Sequence, residues 1–459
     1  MPLPLWTSEQ AAAASHGKAT TAWQADGIAI DSRSVQKGDL FFALTGGQVD
    51  GHRYVASALA QGAAAAIVNH IPANVDKTAP LLVVEDTIKA LSALAEARRA
   101  ESKAVIIGVT GSVGKTSTKE ALRIACGPFG KTHATAGNFN NHLGVPITLC
   151  CMPKDTDMAV FEMGMNHAGE LSGLSRQLRP HIAIITNIEA VHLEFFDSLA
   201  GIADAKAEIF EGLEGIKAVV LNRDNSYFDQ LAAKAKALGI TRIHSFGSSK
   251  EASCRLLSYQ SGGESCVIKA DIEGQVISYE IGVNGIHQAH NSLAVLAAIH
   301  AAGKDVSQAA EALRGFGAPK GRGKRYQIKH NFTLIDDSYN ASPASVTASL
   351  NVLSQEKTTG RKIAILGDML ELGENGIALH RGLAEHMDGI DEVITVGILM
   401  NELQKILPAA KQGGHYTNVE ALTPLVMRHI QDSDVVLIKG SHGVHMYRLV
   451  EALLANNDN

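Results

Sequence analysis

Residues 103–118, Lys-Ala-Val-Ile-Ile-Gly-Val-Thr-Gly-Ser-Val-Gly-Lys-Thr-Ser-Thr, constrain this chain more than any other stretch. The β-branched run Val105-Ile106-Ile107 predicts a buried strand. The turn Gly111-Ser112-Val113-Gly114 predicts a tight loop, and Lys119 to Leu122 lead a helix. A strand that turns through glycines into a helix N-terminus aims backbone N–H groups and the positive helix end at one point, which suits a phosphate. In that arrangement Lys115 reaches the β- and γ-phosphates of a nucleotide and the Thr116 hydroxyl is placed for Mg²⁺, with Ser117 beside it. The strict phosphate-loop pattern has glycine five residues before Gly114. Val109 stands there, and Gly108 is one place off. An ordinary tight turn can also contain Gly-Lys-Thr, but here strand, turn and helix follow in the required order.

A chain of 459 residues exceeds one ordinary core and implies two to four domains. Its formal charge of −6 gives no support to a nucleic-acid surface, which would be basic. No stretch approaches a membrane span. The start Met1-Pro-Leu-Pro-Leu-Trp6 lacks the basic and long apolar parts of a signal peptide. The five cysteines have no metal-type spacing and two of them, Cys150 and Cys151, are adjacent, so reduced thiols in a cytoplasmic protein are expected.

Along the chain, strand and helix signals alternate in three series. The first, 1–102, reads as a small α/β domain with strands at 28–30, 40–43, 64–68 and 81–84, and the charged stretch Glu96 to Lys103 reads as its exit. The second, 103–318, reads as a larger set of βα units with strands at 105–109, 158–162, 182–186 and 217–221, which argues for a parallel sheet. Residues 251–283 read as a small antiparallel patch, followed by a helix from His290 to Ala302. The stretch Gly315 to Lys324 is rich in Gly, Pro and Lys and reads as a linker to the third series, 319–459.

Several residues stand out for chemistry. Glu162 ends a predicted parallel strand, on the ligand side of such a sheet, where a carboxylate suits Mg²⁺. The loop Gly137 to Pro146 concentrates amides, among them Asn138 and Asn141, which suit phosphate, ribose or carbonyl partners but also ordinary left-handed turns. His192 follows another strand tip, where it could ligate a metal or contact a nucleotide, although a lone histidine is more often an ordinary polar residue. Lys206 falls on the next predicted helix, where a lysine is usually solvated.

Taken together these segments resemble the Mur ligase family, the ATP-dependent amino-acid and peptide ligases of peptidoglycan synthesis. The resemblance implies three α/β domains: a UDP-substrate domain, a central ATPase and a C-terminal Rossmann-like domain. It implies ATP and two Mg²⁺ ions as cofactors, with Glu162, His192 and a carbamylated Lys206 as metal ligands beside Thr116. Gly285-Ile-His287-Gln288-Ala-His-Asn291 is similar to the family's adenine-side segment, although Gln288 replaces the usual Asn. Asn291, Arg322 (with Arg325 as a competing candidate) and Asp337 would then contact ATP. Asp336-Asp-Ser338-Tyr339-Asn340-Ala-Ser-Pro343, Leu366 to Gly373 and Lys439-Gly-Ser441-His442-Gly-Val-His-Met446 resemble the member that accepts D-alanyl-D-alanine. The resemblance places that dipeptide near Asp336 to Asn340 and Ser441 to His445. Asp31-Ser32-Arg33 and Asp50-Gly51-His52 resemble the family's uridine-nucleotide segments. The implied substrates are therefore UDP-N-acetylmuramoyl (UDP-MurNAc) tripeptide and D-Ala-D-Ala, acted on by a monomer without nucleic-acid or membrane partners. A folylpolyglutamate synthase and a nucleotide-binding regulator without ligase activity are the competing readings. The uridine-type segments argue against the first. Lys115, Glu162, His192 and Lys206 argue against the second.

Overall fold

A computed structural model of the chain describes residues 4–46, 49–191, 193–328 and 331–455. Its central element is the strand Val105–Thr110, which pairs in parallel with Met158–Glu162 on one side and Ile182–Ile185 on the other. Ile106 and Phe161 enter one apolar cluster, whereas Ile107, Val109 and Val160 enter another. Burial of both strand faces is why these segments read as continuous apolar runs. The sheet has nine strands. Beyond Ile182–Ile185 it continues through Ala218–Asn222 and Arg242–Gly247, and Thr132–Ala134 forms its other edge. The chain crosses from one side of Val105–Thr110 to the other, so this strand marks the switch point where ligands bind in open α/β sheets.

The predicted antiparallel patch is not a separate unit. Cys254–Ser261, Cys266–Ile272 and Gln275–Ile281 are antiparallel to one another, but the first pairs in parallel with Arg242–Gly247 and extends the large sheet. The following helix, Ile286–Ala301, starts four residues earlier than the apolar pattern suggests. Its first turn carries exposed Ile286 and polar His287 and Gln288, so the apolar periodicity begins late.

The N-terminal sheet has five strands, of which Gly27–Ala29, Asp39–Phe42, Ala65–Val68 and Leu81–Val83 run parallel. Its core is continuous with that of the central sheet: Phe42 and Leu94 share a cluster with Ile106 and Phe161. The charged stretch expected to be an exit is largely the end of the helix Thr87–Glu101, which packs on Gly144–Cys150. Arg98 and Arg99 are buried there. Arg98 lies 4.4 Å from the Trp6 ring centre and donates to Leu5 O. Arg99 donates to Leu178 O at 2.6 Å and Arg179 O at 2.7 Å, and pairs with Glu214. In sequence the two arginines look solvated, and only the docked partner shows them as anchors.

The C-terminal sheet has six strands: Lys324–Ile328, antiparallel, then Phe332–Asp337, Val435–Lys439, Lys362–Gly367, Glu392–Val396 and Gln412–Tyr416 in parallel. Its two apolar clusters contain residues of this unit alone. Among the described residues no helix is long and apolar enough to cross a membrane.

Arg99→Ala should strip the donor from one buried and one partly buried carbonyl and lower stability by about 2–3 kcal/mol. Glu214→Gln, on a half-exposed partner, should cost less than about 1 kcal/mol. Urea midpoints of the two variants check the order.

Candidate active site

The carboxyl ends of the central strands and of the C-terminal strands face each other across a cavity of about 780 Å³. The phosphate loop forms its floor. Gly111 has φ +148° and Gly114 φ +86°, and a Cβ on Gly111 would fall 1.9 Å from Thr186 Oγ1. The loop is clamped from the neighbouring strand end. Thr186 Oγ1 donates to Val113 O at 2.5 Å, and Ser112 Oγ donates to Glu189 O at 3.1 Å. The helix Lys115–Ala125 follows at once, so its first N–H groups open into the cavity. Lys115 Nζ donates to Gly111 O at 2.7 Å and Ser112 O at 3.3 Å. Desolvation lowers its pKa, against the pull of the Glu162 carboxylate.

Glu162 is buried at its strand tip. Its Oε1 accepts from Asn140 Nδ2 at 2.8 Å, while Oε2 is buried with no partner among the described residues. An unpaired buried carboxylate oxygen is costly, and a hard divalent cation satisfies it. The Thr116 hydroxyl lines the same cavity. These donors fit Mg²⁺. Asn140 was not singled out in the sequence, where three asparagines in one loop look alike. Asn141 lines the cavity while accepting from Leu143 N and Gly144 N, and Asn138 is exposed outside it.

Lys206, on the helix Leu199–Ala207, is buried rather than solvated. Burial drives its pKa well below the usual lysine range, and the charge of Lys115 adds to the effect. No carboxylate among the described residues pairs with it. His192 lies outside the described residues.

From the C-terminal side, Asp337 and Lys439 are register partners at strand ends. Lys439 Nζ donates to Asp337 Oδ2 at 2.7 Å and to Asn340 O at 3.0 Å, and Ser349 Oγ donates to Asp337 Oδ2 at 2.5 Å. His287, from the first turn of the central helix, meets this pair across the cavity. Burial pushes its pKa down to about 4, against the pull of Asp337, so it is neutral at pH 7. Asn291, on the same helix, abuts the phosphate loop: a Cβ on Gly114 would lie 3.0 Å from Asn291 Oδ1. Of the two candidate arginines, Arg325 pairs with Glu356, whereas Arg322 lies 4.2 Å from the Tyr339 ring centre.

Other sequence candidates sit elsewhere. Asp336 and Ser338 are buried and do not line the cavity. Asp336 accepts from Gly321 N at 2.9 Å and Ser338 Oγ at 2.6 Å, which shapes the turn carrying Arg322. Ser441 is buried and accepts from Leu370 N at 2.9 Å. His442 is exposed, with its ring 5.5 Å from Tyr339. Asp31, Ser32 and Arg33 follow the strand Gly27–Ala29, and Asp50, Gly51 and His52 follow Asp39–Phe42, so both sets lie past the carboxyl ends of the small sheet. The Arg33 side chain holds the Asp31 carboxyl down at about 2. His52 Nδ1 lies 2.7 Å from Asp50 Oδ1, its Nε2 accepts from Asn69 N, and its ring stacks on His70.

Known families account for the whole arrangement. The Mur ligase family catalytic domain matches residues 24–99, the Mur ligase middle domain residues 109–299, and the Mur ligase glutamate ligase domain residues 321–442. A UDP-N-acetylmuramoyl-tripeptide--D-alanyl-D-alanine ligase of Rickettsia prowazekii is 39% identical over 449 residues, 97% of this chain and 99% of its own length. The chain belongs to the Mur ligase family. Among solved structures, MurF from Acinetobacter baumannii superposes with a TM-score of 0.86 at 30% identity, covering 99% of this chain and 100% of its own. The MurF ligase of Thermotoga maritima in complex with ADP gives 0.77 at 25% identity, covering 94% and 98%. Like those Mur ligases, this one has three α/β units and is an ATP-dependent, ADP-forming ligase.

Gly111→Ala should abolish nucleotide binding while leaving the fold, because its Cβ collides with the clamp at Thr186. Nucleotide titration together with circular dichroism checks this, and ordinary binding by the variant would refute it.

Proposed function

We propose that this chain joins D-alanyl-D-alanine to UDP-MurNAc-tripeptide, coupled to cleavage of ATP to ADP and phosphate. The observation that carries this reading is the convergence of the phosphate loop, Glu162 and the Asp337–Lys439 strand ends on one cavity, in a chain whose full-length relatives bear that activity in their names.

The chemistry follows from what a carboxylate lacks. It is a poor electrophile until its oxygen takes the γ-phosphoryl group, which turns it into an acyl phosphate and releases ADP. The dipeptide amine then attacks the carbonyl carbon, a tetrahedral species collapses, phosphate leaves with the C–O bond and the amine loses its proton. Lys115 and the N–H groups from Gly111 to Ser117 hold the β- and γ-phosphates and offset their charge as the substrate carboxylate approaches. Asn291, Arg322 and Asp337 contact the adenosine side. Asn141 serves the sugar-peptide substrate, and Tyr339 and Asn340, whose turn Asp336 and Ser338 shape, serve the dipeptide, whereas Asn138, Ser441 and His442, expected in those roles from the sequence, do not line the cavity. The N-terminal residues Asp31 to Arg33 and Asp50 to His52 hold the uridine nucleotide. The three units divide at 102/103 and 318/319, and closure of the last upon the central one excludes water from the acyl phosphate. The five free cysteines support a cytoplasmic site for the reaction.

Mg²⁺, when bound, neutralises phosphate charge. Thr116, Glu162, His192 and Lys206 would hold two such ions. Lys206 meets the requirement for a carbamate: a neutral amine adds to CO₂, releases a proton and becomes an anionic ligand. Its buried, depressed amine supports this role.

Two measurements test the reading. Phosphate release with UDP-MurNAc-tripeptide and ATP should require D-Ala-D-Ala and fail with single amino acids. A better turnover with an amino acid on a dipeptide-stem substrate would overturn the assignment. Separately, Lys206→Ala should lose most activity and regain part of it with acetate at constant ionic strength, whereas Lys206→Arg should not be rescued. Full activity of the alanine variant without acetate would rule out the carbamate.

A further inference from the structure

At the far end of the helix Ile286–Ala301 from the phosphate loop, three elements bring together side chains that the ligase reaction does not use. His244 lies on the strand Arg242–Gly247 and Glu273 at the turn between Cys266–Ile272 and Gln275–Ile281. His300 lies in the last turn of the helix Ile286–Ala301. One ligand atom from each lies within 4.8 Å of the other two. Fourteen residue steps along the helix separate His300 from Ile286 at the cavity end, about 20 Å at 1.5 Å per residue. The cluster is therefore distinct from the Glu162 and Thr116 donors.

We infer that His244, Glu273 and His300 form a binding site for a divalent transition metal of the Zn²⁺ or Co²⁺ class. Two imidazoles and a carboxylate select such ions over Mg²⁺ and Ca²⁺, which prefer all-oxygen shells. An independent observation points the same way. His244 Nδ1 lies 2.7 Å from Glu273 Oε1, which fixes the proton on Nδ1 and leaves the Nε2 lone pair free. That Nε2 is buried with no hydrogen-bond partner among the described residues. A buried lone pair without a donor is costly, and a metal at Nε2 relieves it. The His244 and His300 rings already meet edge to face, 5.7 Å between centres. Ligands about 2.1 Å from a tetrahedral ion lie about 3.4 Å apart, so atoms as much as 4.8 Å apart have to close by up to about 1.4 Å. Glu273 at a hairpin tip and His300 at a helix end are placed to supply that movement. The negative end of the helix dipole favours a cation there as well. Bound metal would clasp the antiparallel extension and the helix end onto the central sheet as a structural staple, with water in the remaining position.

The test is a Co²⁺ titration of the full chain in excess Mg²⁺, which holds the oxygen site. One equivalent should bind with the strong visible bands of four-coordinate cobalt and be displaced by Zn²⁺. His300→Gln and Glu273→Gln should each weaken binding tenfold or more. Zn²⁺ should raise the melting temperature of the wild type but not of the variants, and all three proteins should have equal Mg²⁺-ATP ligase activity. Absence of saturable Co²⁺ binding by the wild type, or equal affinity in the variants, would overturn the site.

Discussion

The whole molecule depends on where the strand Val105–Thr110 stops. It sits at the switch point of the central sheet, so its carboxyl end opens into a crevice instead of running under a neighbouring connection. The loop that follows has no spare room. Thr186 on the adjacent strand end occupies the space a side chain at Gly111 would need, and Asn291 approaches Gly114 from the helix above. Helix, strand and loop therefore hold the backbone N–H groups in one orientation, and a phosphate meets a ready array.

Charge is the second organising constraint. Lys115 and Glu162 line one cleft with Lys206 buried near enough to feel the Lys115 charge, and the three do not balance by direct pairing. Lys115 turns to carbonyl oxygens of its own loop, Glu162 keeps one oxygen unpartnered, and Lys206 has no carboxylate among the described residues. Such an arrangement is costly in isolation and becomes favourable when anions and cations of the reaction enter together. On the opposite wall the balance is struck differently: Asp337 and Lys439 neutralise each other across adjacent strands, and neutral His287 faces them.

The two junctions between units are built from different materials. The N-terminal unit joins the central sheet through a shared apolar core and the buried arginines Arg98 and Arg99. The C-terminal unit keeps its own apolar clusters and faces the central unit across the polar cavity. Apolar cores resist sliding, whereas a junction formed around an open cavity separates without exposing a core. The closure proposed for the reaction therefore fits the C-terminal unit.

Local sequence determined much of this protein. The β-branched run before Gly111 specified a buried strand, the glycines specified the loop, and the strand tip at Glu162 followed from the βα rhythm, whereas Asp337 was marked by the family resemblance and its strand runs two residues past the apolar pattern that ends at Ile335. These features depend on residues a few positions apart, so they are legible in one dimension. Other features depend on partners that arrive from elsewhere in the chain. Lys206 looks like any helix lysine until the packed chain buries it within reach of the Lys115 charge. Asn140 is one of three similar amides until Glu162 selects it, and Asp336 looks like a ligand until Gly321 and Ser338 take both its oxygens. Arg98 and Arg99 look like surface charge until Leu5, Trp6 and Leu178 surround them. The sequence thus determined which segments fold and where a phosphate is received. Tertiary structure alone decided which polar groups are buried, because burial and its effect on charge are properties of the packed neighbours and not of the residue.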